Sequence, residues 1–426
     1  MDCKAREQFF GNVWTRIKGG FESNKCSALI DAIDNDISKI NRLTGIALEV
    51  ECLRLERDRR KKARIWANIR DSANSLSEML RLKWANPCTC QFSHRANMLL
   101  KAQMDEEADN DDEAEQSRFE LLLVFDKATS FVPAVAYKWR DVEIQCSEIV
   151  QATTIRSPRK GVRFHNDTPT NPTAIAPATS HISKLSGPEI DNLCRSLGSQ
   201  TTVNRCLGYL EDHLRRHHLF LTSGVGAQNQ VVPDASLHHL LLETGKVTLG
   251  PRMKCTVALA LAVAVLRLYD TPWLLPSWDL CDIYFLRDTR GNYLLDRPYV
   301  SFPIGTPTAI KAQRVYRRRL VKNEIIFALG VALIELSYAK PLPDLTEASD
   351  LDKNGNRDII TEYATATRLA ELIHHQELPN YAKATQRCIN CNFETSDYDL
   401  NDQDFRGRFY EGVVMPLRAD WEYATR

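Results

Sequence analysis

Residues Ile325 to Leu336 read IIFALGVALIEL, an apolar run broken only by Gly330 and Glu335. A helix that is hydrophobic all round is stable in water only when other elements surround it. The segment therefore demands a sizeable core. A chain of 426 residues, 43% of them apolar, can supply one and predicts two to three domains. Gly330 is expected where a neighbouring element comes too close for a side chain. The longest apolar stretch, Val257 to Leu266, falls far short of the ~20 residues needed to span a bilayer, so no transmembrane segment is expected.

The same run resembles the F helix of protein kinases, D-x-[WY]-S-x-G-V-x-L-x-E-L. Phe327, Ala328, Gly330, Val331, Leu333, Glu335 and Leu336 fall in register, and Ile325 stands where the Asp belongs. Upstream, Arg252 to Leu274 is similar to the kinase E helix, and Asp282 to Leu286 to the strand after the catalytic loop. Laid on H-R-D-L-K-P-x-N, the chain offers Leu275 to Asp282, with Ser277 for the catalytic Asp and Asp279 for the Lys. No D-F-G follows: Asp296 precedes Arg297 and Pro298. Phosphoryl transfer needs a carboxylate to orient the attacking hydroxyl and groups to hold metal. The resemblance thus implies the scaffold without the chemistry: no catalytic, cofactor-binding or metal residue is assigned.

Residues 85 to 426 also resemble a family of uncharacterised fungal domains that often follow a prion-inhibition and propagation (HeLo-type) helical domain. The shared features are Leu268 to Leu274, the run from Asn323, and Tyr381 to Cys388, YAKATQRC. The resemblance implies family membership and no established activity; in related architectures the helical domain that precedes such a module belongs to incompatibility and cell-death signalling. Only about 84 residues precede the strands, too few for a full HeLo-type bundle.

Fifty-five basic and 55 acidic side chains balance, which gives no global attraction to nucleic acid. The N-terminus lacks an apolar signal region. Twelve scattered cysteines fit reduced thiols inside a cell, in the cytoplasm or the nucleus.

Along the chain, residues 1 to 84 read as a helical hairpin or bundle. Ile33, Ile37 and Ile40 form one stripe, and Trp66, Ile69, Ala73, Leu76 and Leu80 another. Self-association as a coiled coil is the alternative. Residues 85 to 232 read as a small β-rich region with strands near Gln91 to Leu100, Phe119 to Phe125 and Val135 to Ile144. The acidic stretch Asp105 to Glu115 and the linker 151 to 183 are too poor in apolar groups to fold. A helix is expected over Pro188 to Leu197, a strand over His217 to Thr222, and a mostly helical region over 233 to 426.

Several local patterns carry possible chemistry. Val135 to Lys138 resembles the V-A-x-K of a kinase strand, with Glu189 as partner, but no G-x-G-x-x-G precedes it. The glycine fragments at Gly224 to Gly226 and Gly245 to Thr248 lack the spacing of a phosphate cradle. Cys88, Cys90 and His94, with Cys388 and Cys391, carry zinc-donor types, but buried structural thiols are the plainer reading. Lys160, Val162 and Phe164 resemble the docking peptide for protein phosphatase one, which adds as an edge strand. Arg314, Arg317, Arg318, Arg319 and Lys322 form a basic cluster that could receive an acidic partner.

The fold expected is α+β, an N-terminal helical region followed by a kinase-like two-lobed body. The function expected is a non-catalytic, pseudokinase-like binding or signalling module without cofactor. An atypical kinase with relocated acidic groups, or an adaptor oligomerising through its N-terminal helices, are the alternatives.

Overall fold

The computed structural model describes residues 13–84, 94–102, 117–125, 138–149, 187–199, 206–222, 232–242, 249–287, 292–304, 321–358 and 360–425. The readings on Cys88, Cys90, Asp105 to Glu115, Val135 to Tyr137, residues 151 to 183 with the Lys160, Val162 and Phe164 peptide, both glycine fragments and Arg314 to Arg319 lie outside these residues.

The first element, α1, is a single helix of 72 residues, Val13–Trp84. The hairpin expected for this region gives way to one continuous helix. No proline lies within it, and Gly45 cost no more than ~1 kcal/mol relative to Ala without forcing a turn. Compact units divide between Lys62 and Ala63. In the first unit the stripe of Ile33, Ile37 and Ile40 is exposed. In the second, Trp66, Ala73, Leu76, Leu80 and Trp84 are buried in the main core, and Ile69 packs against it.

Among the described residues, eight strands make one sheet: β1 (His94–Leu99), β2 (Ser117–Phe125), β3 (Lys138–Glu148), β4 (Cys206–Glu211), β5 (Arg215–Leu221), β6 (Val232–Ser236), β7 (Ile283–Arg287) and β8 (Tyr299–Ile304). Their order is β4-β5-β3-β2-β1-β8-β7-β6, with every neighbouring pair antiparallel. The β-rich stretch expected to end at residue 232 therefore continues: β8 lies against β1 from His94 opposite Ile304 to Leu99 opposite Tyr299. The pairing has a simple cause. Without β8, β1 would present a row of unpaired amides at a sheet edge.

The helices of the second unit are α2 (Leu193–Ser199), α3 (Leu237–Leu242), α4 (Pro251–Leu268), α5 (Glu324–Tyr338), α6 (Thr361–Leu372), α7 (Pro379–Asn390), α8 (Gln403–Phe409) and α9 (Met415–Thr425). Pro251 opens α4, where its missing N–H costs nothing. Asn323 caps α5 by accepting from the Ile326 amide, and every residue from Ile325 to Leu336 is buried. Contacts with α4, α6 and α7 surround α5. The chain is thus mixed α/β, with an N-terminal helix, an antiparallel sheet and a helical C-terminal part.

Gly330 faces α7 at close range. A Cβ added there would lie 2.7 Å from Ile389 Cδ1 and 3.0 Å from Cys388 Cβ. The isoleucine tip can swing, but the Cys388 Cβ is fixed to its helix backbone. Gly330→Ala is expected to destabilise the protein, because overpacking of about 1–3 kcal/mol outweighs the ~1 kcal/mol gained in helix propensity. Urea denaturation measures the difference. A neutral or stabilising result would mean that α7 yields freely at this crossing.

Candidate functional site

The loop between α4 and β7 is braced in part by its own aspartates. Trp278 N–H donates to the Leu275 carbonyl at 3.0 Å, and Asp282 N–H to the Asp279 carbonyl at 3.0 Å. The side chains complete the brace. Asp282 Oδ2 accepts the Asp279 amide at 3.0 Å, and Asp279 Oδ1 accepts the Cys281 amide at 2.8 Å. Both carboxylates therefore serve backbone N–H groups of the loop itself, the short-range capping that aspartate does readily.

Trp278 anchors the loop to the core. Its indole is 2% exposed, and Nε1 donates to the Ile325 carbonyl at 3.4 Å. In the kinase pattern an aspartate on this helix supports the loop. Here a loop side chain reaches the helix backbone, so the link runs in the opposite direction.

The other residues singled out by the kinase pattern are spread over the body. Asp296 is exposed in a turn. Arg297 next to it donates to the Tyr299 hydroxyl at 3.2 Å and to Glu120 at 3.4 Å. Glu189 receives Lys83 of α1 at 3.0 Å, so it already holds a cation other than Lys138. Lys138 itself begins β3. Cys388 and Cys391 are buried free thiols. Burial holds the Cys388 thiol well above its ordinary value and pushes Cys391 up to about 11, which suits small hydrophobes and not thiolate ligands. His94 packs its ring on Trp84 at 4.8 Å. Among the described residues no group of three or more His, Cys, Asp or Glu could hold a metal ion.

Two concavities adjoin these elements. One, of about 320 Å³, lies between α1, strands β1 to β3 and the end of α4, with Ile69, Met98 and Phe119 among its apolar walls and Lys101 and Arg267 among its polar ones. It is at the small end of ligand sites. Lys101 pairs with Glu120 across 2.8 Å. The other, about 560 Å³, is an open groove at the foot of α5. There Lys322, the described member of the basic cluster, donates to the Tyr398 hydroxyl at 3.1 Å, which raises its pKa. Asn323 Nδ2 donates to the Tyr398 carbonyl at 2.7 Å.

Sequence spacing gave no hint of a third constellation. Ser75 of α1 hydrogen-bonds Asp212 and lies 2.7 Å from His217 Nε2. Burial resists the charge on Asp212, but the Ser75 hydroxyl and the Leu214 and Arg215 amides more than offset it, so its pKa is lowered. A carboxylate only accepts, so the single Ser75 proton points to Asp212. His217 Nε2–H must then be the donor to Ser75. This order cannot activate a nucleophile, because a general base must accept the hydroxyl proton. The group is a structural knot drawn from two distant parts of the chain, α1 and the β4–β5 hairpin. Its only local signal is the adjacent pair His217-His218, between two arginines and the apolar end of β5.

A family model described as a domain of unknown function, DUF7580, matches residues 64–423. The chain belongs to that family. The DUF7580 match begins one residue after the second compact unit does and takes in all eight strands. No curated protein matches the chain in sequence. Among the described residues, no helix is long and apolar enough to cross a membrane.

Proposed function

We propose that the DUF7580 body is a non-catalytic, pseudokinase-like module that binds a protein partner in signalling. The observation that carries this reading is the loop Leu275 to Asp282. Its two aspartates, at the positions of the kinase Lys and Asn, cap their own backbone amides, and Trp278 fastens it to α5. A loop closed on itself in this way offers a rigid surface in place of a metal and nucleotide cradle. The buried α5 with Gly330 under α7 supports a kinase-like helical lobe. The shared β1 to β8 sheet departs from the usual separation of lobes.

Thermal unfolding with ATP, with and without magnesium, tests the reading. A ligand that binds only the native state raises the unfolding temperature. The expected result is no magnesium-dependent rise. A rise that Asp296→Asn abolishes would overturn the proposal and favour an atypical kinase with relocated acidic groups.

A further inference from the structure

We propose that α1 assembles with copies of itself, as a parallel coiled coil of three or four chains, through residues 29–48. This surface lies outside the DUF7580 match and goes beyond the binding-module reading.

The stretch is an unbroken helix whose large apolar side chains face solvent: Ile33, Ile37 and Ile40 are 56%, 49% and 61% exposed. Ile30, Ile33, Ile37 and Ile40 step by three, four and three, the a and d spacing of a coiled coil; Thr44 and Ala47 continue it, and Glu51 and Arg54 end it. Every a/d position from 30 to 40 is Ile. Ile at both a and d favours three or four strands over two. The flank agrees. In a parallel pairing, Leu43 at g meets Leu48 at e of the next chain, so the apolar band is wider than a two-stranded seam needs.

Charge decides the orientation. An antiparallel pair that keeps the isoleucine layers of the same a and d seam would set Ile30 against Ile40 and Ile33 against Ile37. The same register brings Asp34, at e, beside Asp34 of the neighbouring chain, and opposed like charges disfavour it. In the parallel arrangement Asp36 faces Asn41, and Asp36 is already paired with Lys39 of its own helix at 3.0 Å. The face does not suit an anionic lipid surface, because Asp31, Asp34 and Asp36 flank the isoleucines.

Sedimentation equilibrium of the full chain is the test. The expected mass is about three to four times that of one chain, falling to one chain in Ile33→Asp/Ile37→Asp. Both positions are exposed, so the variant should keep the unfolding midpoint of the body. Ile30→Cys should give interchain disulfides on mild oxidation, beyond those of the unaltered chain, since only a parallel register brings residue 30 to its own copy. A full chain of single mass at all concentrations overturns the proposal, as does assembly that survives the double substitution or an Ile30→Cys chain that does not cross-link. Flotation of a monomeric chain with phosphatidylcholine–phosphatidylserine vesicles, lost in the double variant, would assign the face to membrane and overturn it too.

Discussion

Trp278→Ala is expected to cost about 3–5 kcal/mol of folding stability, the range for truncating a large buried aromatic. The side chain is among the largest fully enclosed ones in the protein, and it fills the space between the Leu275 to Asp282 loop and the first turn of α5. Trp278→Phe separates the two parts of that effect. It keeps most of the apolar contact but loses the Nε1 donor to the Ile325 carbonyl, and one ordinary hydrogen bond contributes about 0.5–1.5 kcal/mol. The Ile325 carbonyl sits in the first turn of a helix, so losing the indole does not leave it without a partner. Chemical denaturation of both variants gives the comparison. If Trp278→Ala lost less than about 1 kcal/mol, within reach of an ordinary exposed substitution, the loop would be a solvated turn and not a strut. The binding-module reading would then lose the feature that makes the loop rigid.

That contact also marks the limit of what the residues alone convey. The apolar run from Ile325 and the unbroken stretch Val257 to Leu266 each announce a buried helix, and α5 and α4 follow them closely. Strands β2 and β7 fall on segments rich in Val, Leu, Ile and Phe, a local signal, whereas β1, HRANML, and β5, RRHHLFL, carry much less of it. Pairing is not local. Nothing near His94 or Tyr299 says that they belong to neighbouring strands, because the cause is the need of β1 for a second partner. The same limit explains α1. A hydrophobic stripe shows which face wants cover, but whether a helix turns back depends on a breaker, and Val13–Trp84 contains no proline. For the site, the resemblance to kinases singled out Ser277, Asp279 and Ile325. The use of Asp279 and Asp282 as internal caps, and the reach of Trp278 to α5, required the geometry.

The knot at Ser75, Asp212 and His217 makes stability depend on pH. His217 is fully buried, and burial is the first reason that its pKa falls to about 4, with Arg215 and His218 adding repulsion and Asp212 opposing them. Protonation would place an N–H on Nδ1, which has no hydrogen-bond partner, so the charged ring would carry an orphaned donor. The sign follows. Between about pH 6.5 and about pH 4 the unfolded chain holds the proton and the folded chain does not, so acid favours unfolding. The stability from keeping this imidazole neutral is fully present above about pH 6.5 and is lost as pH falls towards about 4, roughly 3 kcal/mol in all. Asp212, whose pKa is lowered, contributes with the same sign at the acidic end of the range. Urea midpoints at pH 7 and pH 5 should differ by about 2 kcal/mol through His217 alone. His217→Gln keeps a side-chain donor for Ser75 but cannot titrate, and it should remove more than half of that difference while leaving the smaller part due to His218, which is also shifted down by burial. Equal slopes in the two proteins would mean that the ring is charged in the fold or reaches solvent, and the neutral, buried imidazole would fall as the source of the pH dependence.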